Sequence, residues 1–181
     1  MDRAAFYAAV RPIYGPLEQK QVDGFEAILD EAVKRQTPLQ HLAYMLATAW
    51  HETGFKMQPV EEIGKGRGRK YGHPAGPYNK VYYGRGFVQL TWLTNYEHAG
   101  EKLGINLIQF PEKALDCDTA AEIMFAGMTQ GWFTGKKLSN YIGPNGADYK
   151  NARRIINGID CAEKIAGHAR SFEHALRAAG Y

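Results

Sequence analysis

The stretch LAYMLATAWHETGF, residues 42–55, constrains the fold more than any other part of the chain. From Leu42 to Trp50 only the hydroxyls of Tyr44 and Thr48 and the indole of Trp50 interrupt hydrocarbon. A helix here is apolar on nearly every face and belongs at the centre of a helical assembly. Thr37 reads as its N-cap, Pro38 suits the first helical position, and Gln40 completes a capping-box pattern. Gly54 supplies the stop. The same helix delivers Glu52 to its C-terminal end, where exposed carbonyls oppose negative charge and partial burial opposes it further. A carboxylate is costly there unless it is paired, hydrogen-bonded or protonated. If it keeps its proton, it has the property a general acid requires.

Helical periodicity dominates the rest of the chain. Val22, Phe25, Ile28, Leu29 and Val33 recur at steps of three and four and predict an amphipathic helix over 17–35. Similar patterns predict helices over 91–103, 118–133 (with Asp118 as its cap), 148–157 and 161–179. Between the central helix and Gly86 the chain is rich in glycine and broken by Pro59, Pro74 and Pro77, with only VEEI and KVYYGRG strand-like. A chain of 181 residues with 45% hydrophobic and 23% charged side chains fits one domain over 1–181. The expected fold is mainly α, with α+β character from a small β/loop lobe at about 55–86.

Several function classes drop out. The formal charge of +3 is too small to imply nucleic acid, though it mildly favours an anionic polymer. Cys117 and Cys161 have no metal spacing, are too few for a disulfide framework, and are expected as buried thiols. A zincin helix needs a second histidine four residues after His51, where Phe55 stands. His41, His73, His98, His168 and His174 show no ligand spacing either, and no phosphate loop, dinucleotide fingerprint or nucleophile elbow is present. No metal or organic cofactor is expected. MDRAAFYAAV lacks a signal-peptide apolar region, and no apolar run approaches the roughly 18 residues of a membrane span. Synthesis in the cytoplasm without stable membrane insertion is the expectation.

Paired carboxylates remain. Glu61 and Glu62 lie in a polar, basic setting, EEIGKGRGRK, that keeps a carboxylate ionised. Paired with Glu52 they match the two-carboxyl arrangement that cuts glycosidic bonds. In an extended segment Glu62 shares a side with Val60, while Glu61 points away. Further on, in YYGRGFVQLTWLTNYE (82–97), Gly84 and Gly86 around Arg85 permit a tight turn. Gln89, Thr91 and Asn95 follow as short polar groups suited to holding a water and sugar hydroxyl or acetamido groups, and Thr91 is equally suited to cap the next helix. The basic run GKGRGRKYG (64–72) suits anionic polymers or a solvated loop. Trp50, Trp92 and Trp132 are all capable of stacking on sugars, with Trp50 and Trp132 assigned to the core. The last helix, with Arg170 and Arg177, reads as terminal packing.

Three ordered pieces, AWHETG, YYGRGFVQLTWLTNYE and RRIING, together resemble glycoside hydrolase family 19, a group of chitinases and phage endolysins, over about 40–175. The short chain, sparse cysteines and missing signal look more like the phage endolysin branch. The resemblance implies a lysozyme-like fold with a deep cleft and an inverting mechanism, with carboxyls about 6.5–9.5 Å apart. It implies Glu52 as the acid and Thr91 as a holder of the attacking water. The base is Glu61 or Glu62, with Glu62 the choice because similar sequences place the functional glutamate second. Tyr83, Gln89, Asn95 and Asn157 would contact substrate, and Arg85 would be structural. The implied protein is a monomeric, cofactor-free endolysin that cleaves the β-1,4 glycan of bacterial peptidoglycan and reaches the wall after another protein permeabilises the membrane. A chitinase is the alternative within the reaction class. A non-catalytic cell-wall glycan-binding domain is the alternative outside it.

Overall fold

The apolar helix lies where its sequence requires. In the computed structural model, which describes all residues from Met1 to Tyr181, α3 (Leu39–Glu52) is buried without interruption from Leu42 to Trp50. Around it stand α1 (Arg3–Tyr14), α2 (Gln19–Lys34), α4 (Leu93–Leu103), α5 (Cys117–Gln130) and α6 (Ala162–Ala178). α6 packs along α3 and against α1, and α2 packs on α5. Aromatic rings lock four of these helices together: Tyr14 lies 4.7 Å from Trp50 and 5.1 Å from Phe172, and Phe25 lies 6.1 Å from Trp50. Full burial of each such side chain is worth about 1.5–3 kcal/mol. The mainly α architecture is the one expected.

The differences from the sequence reading are local. α1 was not foreseen; Asp2 caps it by accepting from the Ala5 amide at 3.1 Å, and it buries Phe6, Tyr7 and Val10. The capping box assigned to Thr37 and Gln40 does not form, and Pro38 holds the cap position. The Thr37 carbonyl accepts from the Tyr181 hydroxyl at 2.7 Å, and Gln40 donates to Glu173 at 3.3 Å. Of the local pair, only Gln40 has a long-range partner for its side chain. The N-cap position of α5 is Asp116, not Asp118, and the Asp116 side chain makes no capping bond. The helix expected over 148–157 shrinks to a 3-10 turn, Asn151–Ile155. Neither cysteine is fully buried: Cys117 is half-buried and Cys161 is exposed.

The glycine-rich segment forms the expected lobe with very little strand. β1 (Val60–Glu61) pairs antiparallel with β2 (Arg85–Gly86), Val60 opposite Gly86 and Glu61 opposite Arg85. Arg85 also bridges Leu90, so a third extended piece flanks β2 on its other side. β3 (Ile142–Gly143) and β4 (Gly146–Ala147) form a separate small hairpin. Residues 64–72 are a chain of turns, closed by amide-to-carbonyl bonds from Arg67 to Gly64, Arg69 to Gly66 and Gly72 to Arg69.

The segment from Glu52 to the lobe is pinned to α2. A Cβ at Gly24 would stand 1.6 Å from the Met57 carbonyl oxygen, so this helix interior accepts glycine despite a propensity cost of about 1 kcal/mol. Beside it Gln21 donates to the Phe55 carbonyl at 2.9 Å, and Gln58 donates to the Lys20 carbonyl.

His51 on α3 and His168 on α6 each keep a buried ring nitrogen with no hydrogen-bond partner. Burial holds His51 below the ordinary imidazole range; Glu52 pulls the other way, while Arg153 and Lys164 add to the depression. Burial, Lys164 and His51 do the same to His168. Both are therefore neutral in the native state, and the unfolded chain takes up protons first as pH falls through about 6.5. Their contribution to stability is present above that pH and is lost below it. The thermal midpoint measured by circular dichroism is expected to drop between pH 7 and pH 5, and to drop less steeply in His168→Gln.

Candidate active site

Glu52 is the last residue of α3. The two residues after it fix how the chain leaves the helix. The buried Thr53 hydroxyl donates to the Ala49 carbonyl at 2.8 Å and accepts from the Met57 amide at 2.9 Å. Gly54 then adopts a left-handed φ of 59°. The Glu52 side chain is 17% exposed and forms an ion pair with Nη1 of Arg153, itself 4% exposed. Arg153 belongs to the Asn151–Ile155 turn, and its Nε donates to the Asp160 carbonyl at 3.0 Å. The lone carboxyl inferred from the helix end is thus corrected: Glu52 is charge-paired, by a residue 101 positions away.

Alternation along β1 sends the next two glutamates to opposite faces. Glu61 is exposed. Hydrogen bonds from the Tyr83 hydroxyl and from Lys65, whose Nζ lies at 2.9 Å, hold its carboxyl below the usual range. Glu62 is half-buried and accepts from two neutral donors, the Tyr71 hydroxyl at 2.8 Å and the Gly84 amide at 3.1 Å. Its own amide donates to the Gly84 carbonyl at 2.7 Å.

Glu61 lies opposite Arg85 and Arg85 opposite Leu90. Beyond Leu90 the pairing slips by one residue, the Trp92 amide donating to the Tyr82 carbonyl, so half-buried Thr91 leaves the regular register. Gly84 has no side chain, and the Gln89 side chain packs over it beside Glu62. A Cβ there would meet Gln89 Oε1 at 2.8 Å and Glu62 Cβ at 3.3 Å. Thr91 is not the cap of α4; Trp92 holds that position, so the Thr91 hydroxyl is not spent on the helix end.

The remaining candidates divide between scaffold and surface. Tyr83 is buried, lies under the Arg85 guanidinium at 3.6 Å and spends its hydroxyl on Glu61. Gln89 has a left-handed φ of 56°, and its Nε2 donates to the Val60 carbonyl at 2.9 Å and the Gly86 carbonyl at 3.3 Å. Its amide nitrogen therefore ties β1 to the turn rather than reaching outward. Arg85 is buried and donates to the Tyr96 hydroxyl at 3.0 Å, the structural role expected of it. Asn95 is half-buried in α4, but Thr91 precedes that helix, so the shared helical face does not form. Asn157 is exposed, and its Oδ1 accepts from the Gly158 amide at 2.9 Å. Its amide donates to the Arg153 carbonyl at 3.1 Å, which places it on the Glu52 side. Of the tryptophans assigned to the core, Trp50 is buried, whereas Trp132 is only half-buried against His98.

Sequence reasoning missed Thr53, Tyr71 and Arg153. Arg153 stands in the quoted RRIING piece, but a contact across 101 positions leaves no local signal. The groove of about 650 Å³ bounded by Pro38, His41, Ile142 and Arg177 is at the opposite end of α3, about 20 Å from Glu52 along the helix axis.

Known proteins share both the sequence and the shape. A family model described as chitinase class I, of glycoside hydrolase family 19, matches residues 64–141. An Arabidopsis thaliana endochitinase, At2g43610, is 33% identical over 134 residues, 72% of this chain and 43% of its own. Arabidopsis endochitinase EP3 is 38% identical over 129 residues, 67% of this chain and 43% of its own. The chain belongs to glycoside hydrolase family 19. Chitinase C from Streptomyces griseus superposes with a TM-score of 0.67 at 23% identity, over 96% of this chain and 75% of that one, the same lysozyme-like fold. This family 19 chain spans 43% of the length of each of the two plant relatives. Tyr83, Gln89, Thr91 and Asn95 fall inside the family 19 match, while Glu52, Glu61, Glu62 and Asn157 lie outside it.

Proposed function

We propose that the chain is a glycoside hydrolase that cleaves the β-1,4 glycan of bacterial peptidoglycan with inversion, as an endolysin does. The observation that carries the reaction type is a set of carboxyls in unlike settings: Glu52 at the helix end beside Arg153, and Glu62 held by two neutral donors, Tyr71 and the Gly84 amide. A water beside Glu62 would donate one proton to it and be steadied by Thr91. Glu52, paired with Arg153 in the free chain, would first take up a proton from solvent as substrate enters. As the water oxygen bonds to the anomeric carbon, the bond to the leaving oxygen breaks, Glu52 hands that oxygen the proton, and its ion pair with Arg153 re-forms. Glu62 is preferred to Glu61 as base because Tyr83 and Lys65 lower the proton affinity of Glu61.

The substrate assignment rests on charge. Arg67, Arg69 and Lys70 are exposed on the turns that carry Tyr71 to Glu62. Peptidoglycan bears carboxylates on its peptide stems, and chitin is neutral. The second reading, chitin, is favoured by the names of the plant and bacterial relatives. Incubation with purified sacculi and with chitin, followed by mass spectrometry of the new reducing ends, separates the two. New ends on sacculi, formed more slowly at high salt, support peptidoglycan. New ends on chitin alone overturn that substrate. Glu62→Gln is expected to lower turnover by about 100-fold or more and Glu61→Gln by much less; the reverse order would exchange the two roles.

A further inference from the structure

Trp92 is costly twice over. It is the single tryptophan of three that is exposed, at 44%. Its backbone also sits at a left-handed φ of 73°, a region that strains any residue with a Cβ. The backbone is held there from both sides: the Trp92 amide donates to the Tyr82 carbonyl at 2.9 Å, and its carbonyl accepts from the Asn95 and Tyr96 amides at 3.1 Å. Glycine would meet those bonds without strain. The indole packs edge-on against Tyr71, ring centroids 5.2 Å apart at 73°, and the Tyr71 hydroxyl donates to Glu62 at 2.8 Å.

We infer that Trp92 is a sugar-binding platform and that Tyr71 is the positioning residue linking it to Glu62. An exposed indole beside a carboxylate suits the apolar face of an N-acetylhexosamine ring in the glycan, because the C–H face of a sugar stacks on an aromatic ring while its hydroxyls stay in water. A ring seated on Trp92 restrains the Tyr71 ring edge against it, and Tyr71 in turn fixes the rotamer of Glu62. This deepens the glycan-hydrolase reading and rests on it.

The test separates the two layers. Binding of the N-acetylglucosamine hexamer and of soluble, stem-bearing peptidoglycan strands is measured by calorimetry in a Glu52→Gln background, with Trp92 intact and with Trp92→Gly. Rates on the same glycans are measured in the otherwise native chain. Trp92→Gly is expected to weaken binding of whichever glycan the native chain cleaves, and to raise its KM, by about tenfold, with the melting temperature held or raised because strain is relieved. Tyr71→Phe is expected to lower kcat with KM little changed. Unchanged affinity in Trp92→Gly overturns the platform whatever the melting temperature does. A fall in KM and kcat together in Tyr71→Phe overturns the positioning role. If the native chain cleaves neither glycan yet binds one through Trp92, the hydrolase reading fails and the platform stands.

Discussion

Glu52→Gln is expected to reduce glycan cleavage by about 10³-fold, within the range usual for removing a general acid. The carboxamide keeps the shape of the side chain and one oxygen for Nη1 of Arg153, so α3 and the turn built by Thr53 remain. The loss falls on kcat, because the missing proton matters only as the leaving oxygen takes on charge. Arg153 loses a full counter-charge while 4% exposed, so the melting temperature is expected to fall by several degrees, and rates belong well below it. Initial rates with circular dichroism on the same samples check both halves. A variant that cleaves at the native rate removes Glu52 from the mechanism.

Arg153→Met is expected to have the largest effect on stability. The substitution leaves Glu52 unpaired in a half-buried place and frees the Asp160 carbonyl that Arg153 now holds. Removing one partner of a buried pair costs about 3 kcal/mol or more, which for a chain of this size lowers the midpoint by about 6–12 °C. Arg153→Lys keeps the charge but cannot reach Glu52 and Asp160 together through one planar fork. An intermediate midpoint is expected. Thermal unfolding of the three chains side by side gives the answer, and equal midpoints would show that the pair contributes nothing to the fold.

What could be read in advance follows from how far each interaction reaches along the chain. α3 was legible because a helix apolar on all sides has one place to go. α2 and α6 were legible from their stripes, and the alternation separating Glu61 from Glu62 from the strand period. α1 was missed although its cap, Asp2, is ordinary; twelve residues with Pro12 inside gave too short a stripe to assign. The box at Thr37 lost its second member because Gln40 turns to Glu173, and Asp118 is no cap because α5 already begins at Cys117. Arg153 meeting Glu52 and Tyr71 meeting Glu62 depend on tertiary placement, which local pattern does not encode. The family resemblance named Glu52, Glu62 and Thr91 as a set. The structure gives Glu52 its counter-ion and holds Glu62 between the Tyr71 hydroxyl and the Gly84 amide.

Cys161 carries a practical consequence. It sits at a left-handed φ of 54° beside Asp160, exposed, whereas Cys117 is half-buried. A maleimide dye or nitroxide added to the unmutated chain will therefore attach chiefly at one known place, adjoining the carbonyl that secures Arg153. Spectroscopic readout of the acid side is available without altering a single residue.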